Sequence, residues 1–253
     1  MAEDTKTVDI DGLIKHLEQA NESNLISIKI PSSDIDCNFK QLTVKQQSTL
    51  ITSVITQETD SNAFSYNRSA STIISDNNVD GIEISLADRG PVLAQLRVDT
   101  LGPEIVIEDT TWDISSREYE YTEQEREKIT NTHTCTVSGM SVQYTTPSLT
   151  LDVAMNAEAE SRWVEEEAAD IISELFKLEL AKFITTVTVE DQQLVINLRE
   201  LNVDDQLRVC DALPVKITKE VMAYIQDIKL LEGQLMMIDT DTFIPTDITL
   251  FSV

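Results

Sequence analysis

Glycine and proline each occur only six times in 253 residues, cysteine three times, histidine twice and tryptophan twice. Six scattered glycines form no cluster that would cradle a phosphate, and the chain contains no Gly-x-Ser-x-Gly elbow for a nucleophile. Only His16 and His133 are available as imidazole bases. Cys37, Cys135 and Cys210 are odd in number and far apart, which predicts free thiols in a reducing compartment rather than a disulfide framework. No apolar run approaches the roughly 20 residues that a membrane helix needs. The opening Ala2-Glu3-Asp4-Thr5-Lys6 is polar and lacks the apolar stretch of a secretory signal, so a cytoplasmic site of synthesis is expected. Positive charge is scarce too: 19 basic residues face 45 acidic ones, for a net charge of −26. Such a field repels phosphate backbones and anionic lipid surfaces, so neither nucleic acid nor membrane is expected as a partner.

What the chain does have is enough apolar content, 41%, to build a core. Its clearest stretch runs from Leu25 to Thr56. Leu25, Ile26, Ile28 and Ile30 lead into Pro31-Ser32-Ser33-Asp34, and Ile35, Cys37 and Phe39 then alternate, predicting two strands around a turn. Thr43 is a good N-cap for a helix from Val44 to Thr56, with Leu50, Ile51, Val54 and Ile55 at helical spacing.

Elsewhere the organisation is coarser. Asp9 to Gln19 reads as a short helix in an N-terminal arm, 1–24, and 25–102 as the first part of the core. Within that part Ala63–Ile74 is a weak helix pattern, Ile82–Leu86 a short strand or a lead-in to a helix, and Asp88–Thr100 that helix, with Pro91 in its first turn. Gly102-Pro103 is a break. Residues 103–155 read as an acidic, β-rich insert, with Glu104–Ile107, Thr134–Tyr144 and Ser148–Val153 alternating. Residues 156–253 form a second helical part. Its dominant feature is one long helix, Ala157 to Ile184, striped by Val164, Ala168, Ile171, Leu175 and Leu178 and expected to be the central core helix. Val187–Val189 and Leu194–Leu198 suggest a hairpin, Asn202 or Asp204 starts a further helix, and Thr218 caps another that Gly233 ends. The fold class that follows is α+β: a β-hairpin and several helices sharing one core, with a β-rich insert.

Chemical motifs are near misses. Asp76-Asn77-Asn78-Val79-Asp80-Gly81 matches half of a calcium-binding loop, but the closing position holds Ala87 where a carboxylate is needed, and an Asx turn explains the pattern equally well. Asp239-Thr240-Asp241-Thr242 reads as a strand edge or turn. His133 and Cys135 are two zinc-ligand types where a structural site needs four. The acidic run Glu165-Glu166-Glu167 fits a solvated helix face, or a surface for a basic partner. No cofactor, metal or catalytic residue is assigned, and an enzyme is not expected.

The order Ile30-Pro31-Ser32, a second strand, then Phe39-Lys40-Gln41-Leu42-Thr43-Val44-Lys45-Gln46-Gln47 opening a helix resembles baseplate hub proteins of T-even-like contractile-tailed bacteriophages. Ala87-Asp88-Arg89 with Ala94-Gln95-Leu96-Arg97, Leu180-Ala181-Lys182-Phe183-Ile184, Ala212-Leu213-Pro214-Val215 and Ala223-Tyr224-Ile225-Gln226 are similar as well. Ile30 stands where the family pattern suggests Leu, and 103–151 carries no resemblance. The resemblance implies a non-enzymatic virion protein, a baseplate hub subunit assembled in the host cytoplasm and retained in the tail. Its partners would be other baseplate and tail proteins, with a homo-oligomer possible. The alternative is a transient tail-assembly chaperone; a calcium-binding or hydrolytic module is a weaker one. For interaction surfaces the sequence offers the turn Pro31, Ser32 and Ser33 and the apolar end Leu250, Phe251 and Val253, because exposed turns and unburied apolar ends attract partners.

Overall fold

The computed structural model describes residues 14, 23–60, 65–107, 109–115, 118–162, 168–238, 242 and 244. The arm helix expected over 9–19 and the apolar end with Leu250, Phe251 and Val253 lie outside the described residues, apart from Ile14.

The period-two pattern produces strands β1 (Leu25–Ile30) and β2 (Ile35–Lys40), paired antiparallel with Ile28 opposite Cys37. Ile28, Ile30, Cys37 and Phe39 are all buried, so one face of the hairpin is core and the other solvent. The turn closes through Asp34 N–H to Ile30 O at 2.9 Å, with Asp34 at φ 59°, a conformation that Asp tolerates better than most residues. Helix α1 (Val44–Asp60) follows from a capping box: Gln46 N–H donates to Thr43 Oγ1, and Thr43 N–H donates to Gln46 Oε1. Helix α2 (Ser65–Asn77) takes the place of the weak pattern over 63–74.

Of the two readings of 82–86 the structure has the lead-in: extended chain with a single bridge from Ser85 to Ser148, leading into a 3-10 turn at Leu86–Asp88. Ser85 Oγ accepts from Ala87 N–H and starts that turn, which takes Leu86 out of strand geometry. Helix α3 (Arg89–Leu101) follows directly, with Gly90, Pro91, Val92, Leu93, Ala94, Leu96 and Arg97 buried. It packs against β1, α2 and the carboxyl-terminal helix.

Strands β3 (Glu104–Ile107) and β4 (Thr110–Asp113) form a small hairpin with Ile105 opposite Trp112. Helix α4 (Glu123–Thr130) begins at a second capping box, Thr122 with Glu125. Strands β5 (His133–Val137) and β6 (Met140–Tyr144) turn through Ser138 and Gly139, both at positive φ as a tight hairpin turn requires. Ser148–Val153 is not a strand. Leu151 N–H donates to Ser148 Oγ, and helix α5 (Leu149–Arg162) runs on from there, burying Leu149, Asp152, Met155 and Asn156 along one face.

The single long helix expected over 157–184 is two helices, α5 and α6 (Ala168–Phe183). In one continuous helix Asp152 and Lys182 would stand about 45 Å apart. Their charged groups are instead 2.9 Å apart, so α6 folds back along α5.

Strand β7 (Ile184–Val189) leaves α6 directly and pairs with β6, and β8 (Leu194–Asn197) completes a four-stranded antiparallel sheet in the order β5-β6-β7-β8. Pairing between β6 and β7 thereby joins the stretch 103–155 to the carboxyl-terminal part. Helix α7 (Val203–Asp211) is capped by Asn202, whose Oδ1 accepts from Asp205 N–H. Helix α8 (Val215–Leu235) starts at Pro214, earlier than the expected cap at Thr218, and runs through Gly233. Proline fits there because the first turn of a helix has no use for its missing N–H. The buried apolar side chains form one continuous cluster from β1 to α8, an α+β fold.

Candidate functional site

The part of the molecule with the most unusual chemistry lies where α3, α5, α6 and α8 meet. Asp88, the last residue before α3, is fully buried. Its carboxylate accepts from Ser32 N–H at 2.9 Å and from Ser32 Oγ at 2.5 Å. Burial pushes its carboxyl up to about 7, against the Ser32 hydrogen bonds that favour the ionised form. The next residue, Arg89, sends its guanidinium to within 3.7 Å of Asp152 on α5. Asp152 also contacts Lys182 Nζ at 2.9 Å and accepts from Ser71 Oγ at 3.3 Å. Lys182 lies 2.8 Å from Glu179, and Glu179 lies 3.5 Å from Lys229 on α8. Burial raises Glu179, but the attraction of Lys182 and Lys229 outweighs it and holds this carboxyl below the ordinary range. Glu232, one turn after Lys229, accepts from Gly90 N–H at 3.0 Å, and burial pushes it up.

Charges desolvated in this way are costly unless paired, and Lys182 and Asp152, at 1% and 2% exposure, are paired with each other. The helices around them leave two clefts. One, of about 340 Å³, has Leu86, Arg89, Asp152, Asn156, Leu175, Phe176, Glu179, Lys182, Met222 and Lys229 in its wall. The other, of about 270 Å³, adjoins it through Asn67, Arg89 and Lys229, and adds Gly90, Glu232 and Met236. The walls are rich in charged and polar groups, but among the described residues no side chain in them is placed as a nucleophile beside a base.

The sequence-derived site residues fall elsewhere, with one exception. Pro31 and Ser32 are buried and Ser33 is exposed. The turn is therefore not the freely exposed surface the sequence suggested, because Ser32 is committed to Asp88. Leu250, Phe251, Val253, His16, the run Glu165–Glu167 and the 239–241 acidic pair lie outside the described residues.

The 76–81 loop is an Asx turn. Asn78 Oδ1 accepts from Gly81 N–H at 3.0 Å, Asn78 Nδ2 donates to Ile82 O, and Asp80 accepts from Asn38 N–H at 2.8 Å. Its oxygens are spent on pinning the loop to β2. Among the described residues no group of three or more His, Cys, Asp or Glu is placed to hold a metal ion. His133 and Cys135 share one face of β5. His133 Nε2 lies 2.9 Å from Lys128 O, and its ring packs on Tyr144 and Tyr224. All three cysteines are free and buried, and burial raises the Cys37 and Cys210 thiols to about 11 and about 12, away from reactivity. Among the described residues no helix is long and apolar enough to cross a membrane.

Sequence reasoning missed Arg89, Asp152, Asn156 and Lys182. The available signal was polarity on an apolar face. Lys182 follows Leu178 and Ala181 on the buried side of α6, and Asp152 lies between Leu149 and Met155 on that of α5. Comparisons with protein-family models, with curated proteins and with solved structures find no match for this chain.

Proposed function

We propose that this protein is a non-enzymatic subunit of a contractile phage tail, placed in the baseplate hub and acting through protein–protein interfaces. The observation that supports this reading is where the segments bearing the resemblance lie. They are scattered between residues 30 and 226 in sequence, yet they meet in space: Ser32 bonds to Asp88, Arg89 and Lys182 share Asp152, and Phe183 packs edge-on against Tyr224 at 6.0 Å. Their polar atoms hold elements to one another and leave the surface free for neighbours, as a scaffold requires. On that surface, the edge strand β8 exposes Leu194 and Val195, apolar side chains of the kind an interface covers. The strong negative charge favours basic neighbours by steering.

The test is quantitative mass spectrometry of purified tailed particles beside the infected-cell lysate. A fixed copy number per particle is expected. Abundance in the lysate with none in the particles would replace the subunit by an assembly chaperone, and absence of tail genes beside the coding sequence would remove the tail reading altogether.

A further inference from the structure

We infer that the 340 Å³ cleft between α3, α5, α6 and α8 is a binding site for a monocarboxylate that carries an amide beside an apolar group, the chemistry of an N-acylated amino acid or of a peptide's C-terminal residue. Two side chains in its wall have hydrogen-bonding capacity that the protein leaves unspent. Asn156 is 1% exposed, yet among the described residues neither its Nδ2 nor its Oδ1 has a hydrogen-bond partner. A buried amide with both ends unmet is rare and costly, and the group that satisfies both ends is another amide, which presents one donor and one acceptor. Arg89 makes the loose 3.7 Å contact with Asp152 and attracts Glu232 and Glu179 at longer range, but its guanidinium has no hydrogen bond among the described residues. Its fork matches a carboxylate.

Charge selects the class further. Three cations, Arg89, Lys182 and Lys229, face the carboxylates of Asp152 and Glu179, with Glu232 beside Arg89 and Lys229 in the adjoining cleft. A monoanion on Arg89 adds the least charge beside these acids; a phosphate dianion would set twice that charge against them. The remaining wall is apolar, with Leu175, Phe176 and Met222. At about 340 Å³ the space is at the small end for ligand sites, enough for a compact acid or a chain end. The Asn156 amide is closed off from bulk water, so contact with it requires a rotamer change in the wall. The inference is independent of the tail reading and survives its failure.

The experiment is isothermal titration calorimetry on the full chain with four probes: N-acetyl-L-leucine, the peptide acetyl-Gly-Gly-Leu with a free carboxylate, the same peptide with a C-terminal amide, and inorganic phosphate. Binding of either carboxylate probe, at least tenfold tighter than the amidated peptide and than phosphate, is expected. The tighter of the two identifies the source as a free acid or a chain end. Asn156→Leu is expected to weaken that binding at least tenfold while thermal unfolding stays level or rises, since an unmet amide is removed. Arg89→Lys is expected to weaken it while the ion pair to Asp152 persists. Equal binding of the free and amidated peptides, tighter binding of phosphate, no binding of either carboxylate, or unchanged affinity in a folded Asn156→Leu protein would each overturn the assignment.

Discussion

Ser32 donates both its backbone N–H and its hydroxyl to the one carboxylate of Asp88, 56 residues further along the chain. The pair fastens the turn of the first hairpin to the start of the central helix. It does so inside the protein, where a charged carboxylate is poorly solvated. Asp88 is therefore a point at which fold and pH are linked.

With its folded value near 7 and an unfolded value of about 4, Asp88 binds its proton more tightly in the folded state. The stability this provides is full below about pH 4 and is lost as pH rises through about 7. Ionising Asp88 in the folded protein then costs on the order of 4 kcal/mol at pH 8. Asp88→Asn keeps an acceptor for the Ser32 N–H and offers a donor to its hydroxyl, without the charge. Urea unfolding at pH 5 and pH 8 is expected to show the wild type losing stability across that interval, and the variant losing markedly less. Glu232 shifts in the same direction and repels ionised Asp88, so the flatter profile of the variant includes the relief of that repulsion. Parallel pH profiles would contradict the linkage.

Lys182 is held between Asp152 and Glu179 at 2.9 and 2.8 Å. Replacing it by methionine leaves Asp152 buried with only the looser Arg89 for charge balance. Lys182→Met is expected to cost about 3–5 kcal/mol, the usual result of orphaning one member of a buried pair. Adding Asp152→Asn removes the orphaned charge, so the double variant is expected to be more stable than Lys182→Met alone. A double-mutant cycle by chemical denaturation measures this directly. Simple additivity would mean that the pair contributes nothing specific.

The hairpin and α1 were legible in the sequence because their burial follows from local period alone: Ile28, Ile30, Cys37 and Phe39 alternate, and Thr43 caps. The site was not. Its residues sit on four elements, and nothing at Arg89 or Asn156 announces which distant groups they will meet. The reversal between α5 and α6 was hidden for a related reason. An apolar stripe records that a face is covered, not whether the neighbour is another element or the next helix of the same run. By contrast, Thr122-Glu123-Gln124-Glu125 does carry a local signal, a capping box, concealed within a stretch read only as part of an acidic, β-rich insert.

That box gives a test of its own. Thr122 Oγ1 accepts from Glu125 N–H, and Glu125 Oε2 accepts from Thr122 N–H at 2.8 Å. A helix of one short run, Glu123–Thr130, depends heavily on such an end. Thr122→Ala is expected to cost about 1 kcal/mol. Faster hydrogen exchange should be confined to the first turn of α4, measured by exchange mass spectrometry. Loss of protection throughout the sheet would show that the cap holds more than its own helix.

Tyr224 and His133 share an acceptor. The Tyr224 hydroxyl donates to Lys128 O at 2.9 Å, and His133 Nε2 lies 2.9 Å from the same oxygen, so the neutral ring carries its proton on Nε2. Because Tyr224 spends its hydrogen on that carbonyl, Thr146 Oγ1, 2.8 Å away, is the donor in the second contact. Tyr224→Phe keeps the ring against Tyr144 and Phe183 and leaves Lys128 O satisfied by His133, so its cost is expected to be modest, about 1 kcal/mol. His133→Phe likewise leaves the carbonyl bonded to Tyr224. Only when both are changed does the carbonyl lose every side-chain donor, and the combined loss should exceed the sum of the single losses by about 1 kcal/mol or more. Denaturation midpoints for the four proteins of this cycle decide the matter. A sum equal to the combined loss would mean that the two bonds act independently, and that the carbonyl finds another donor when both are gone.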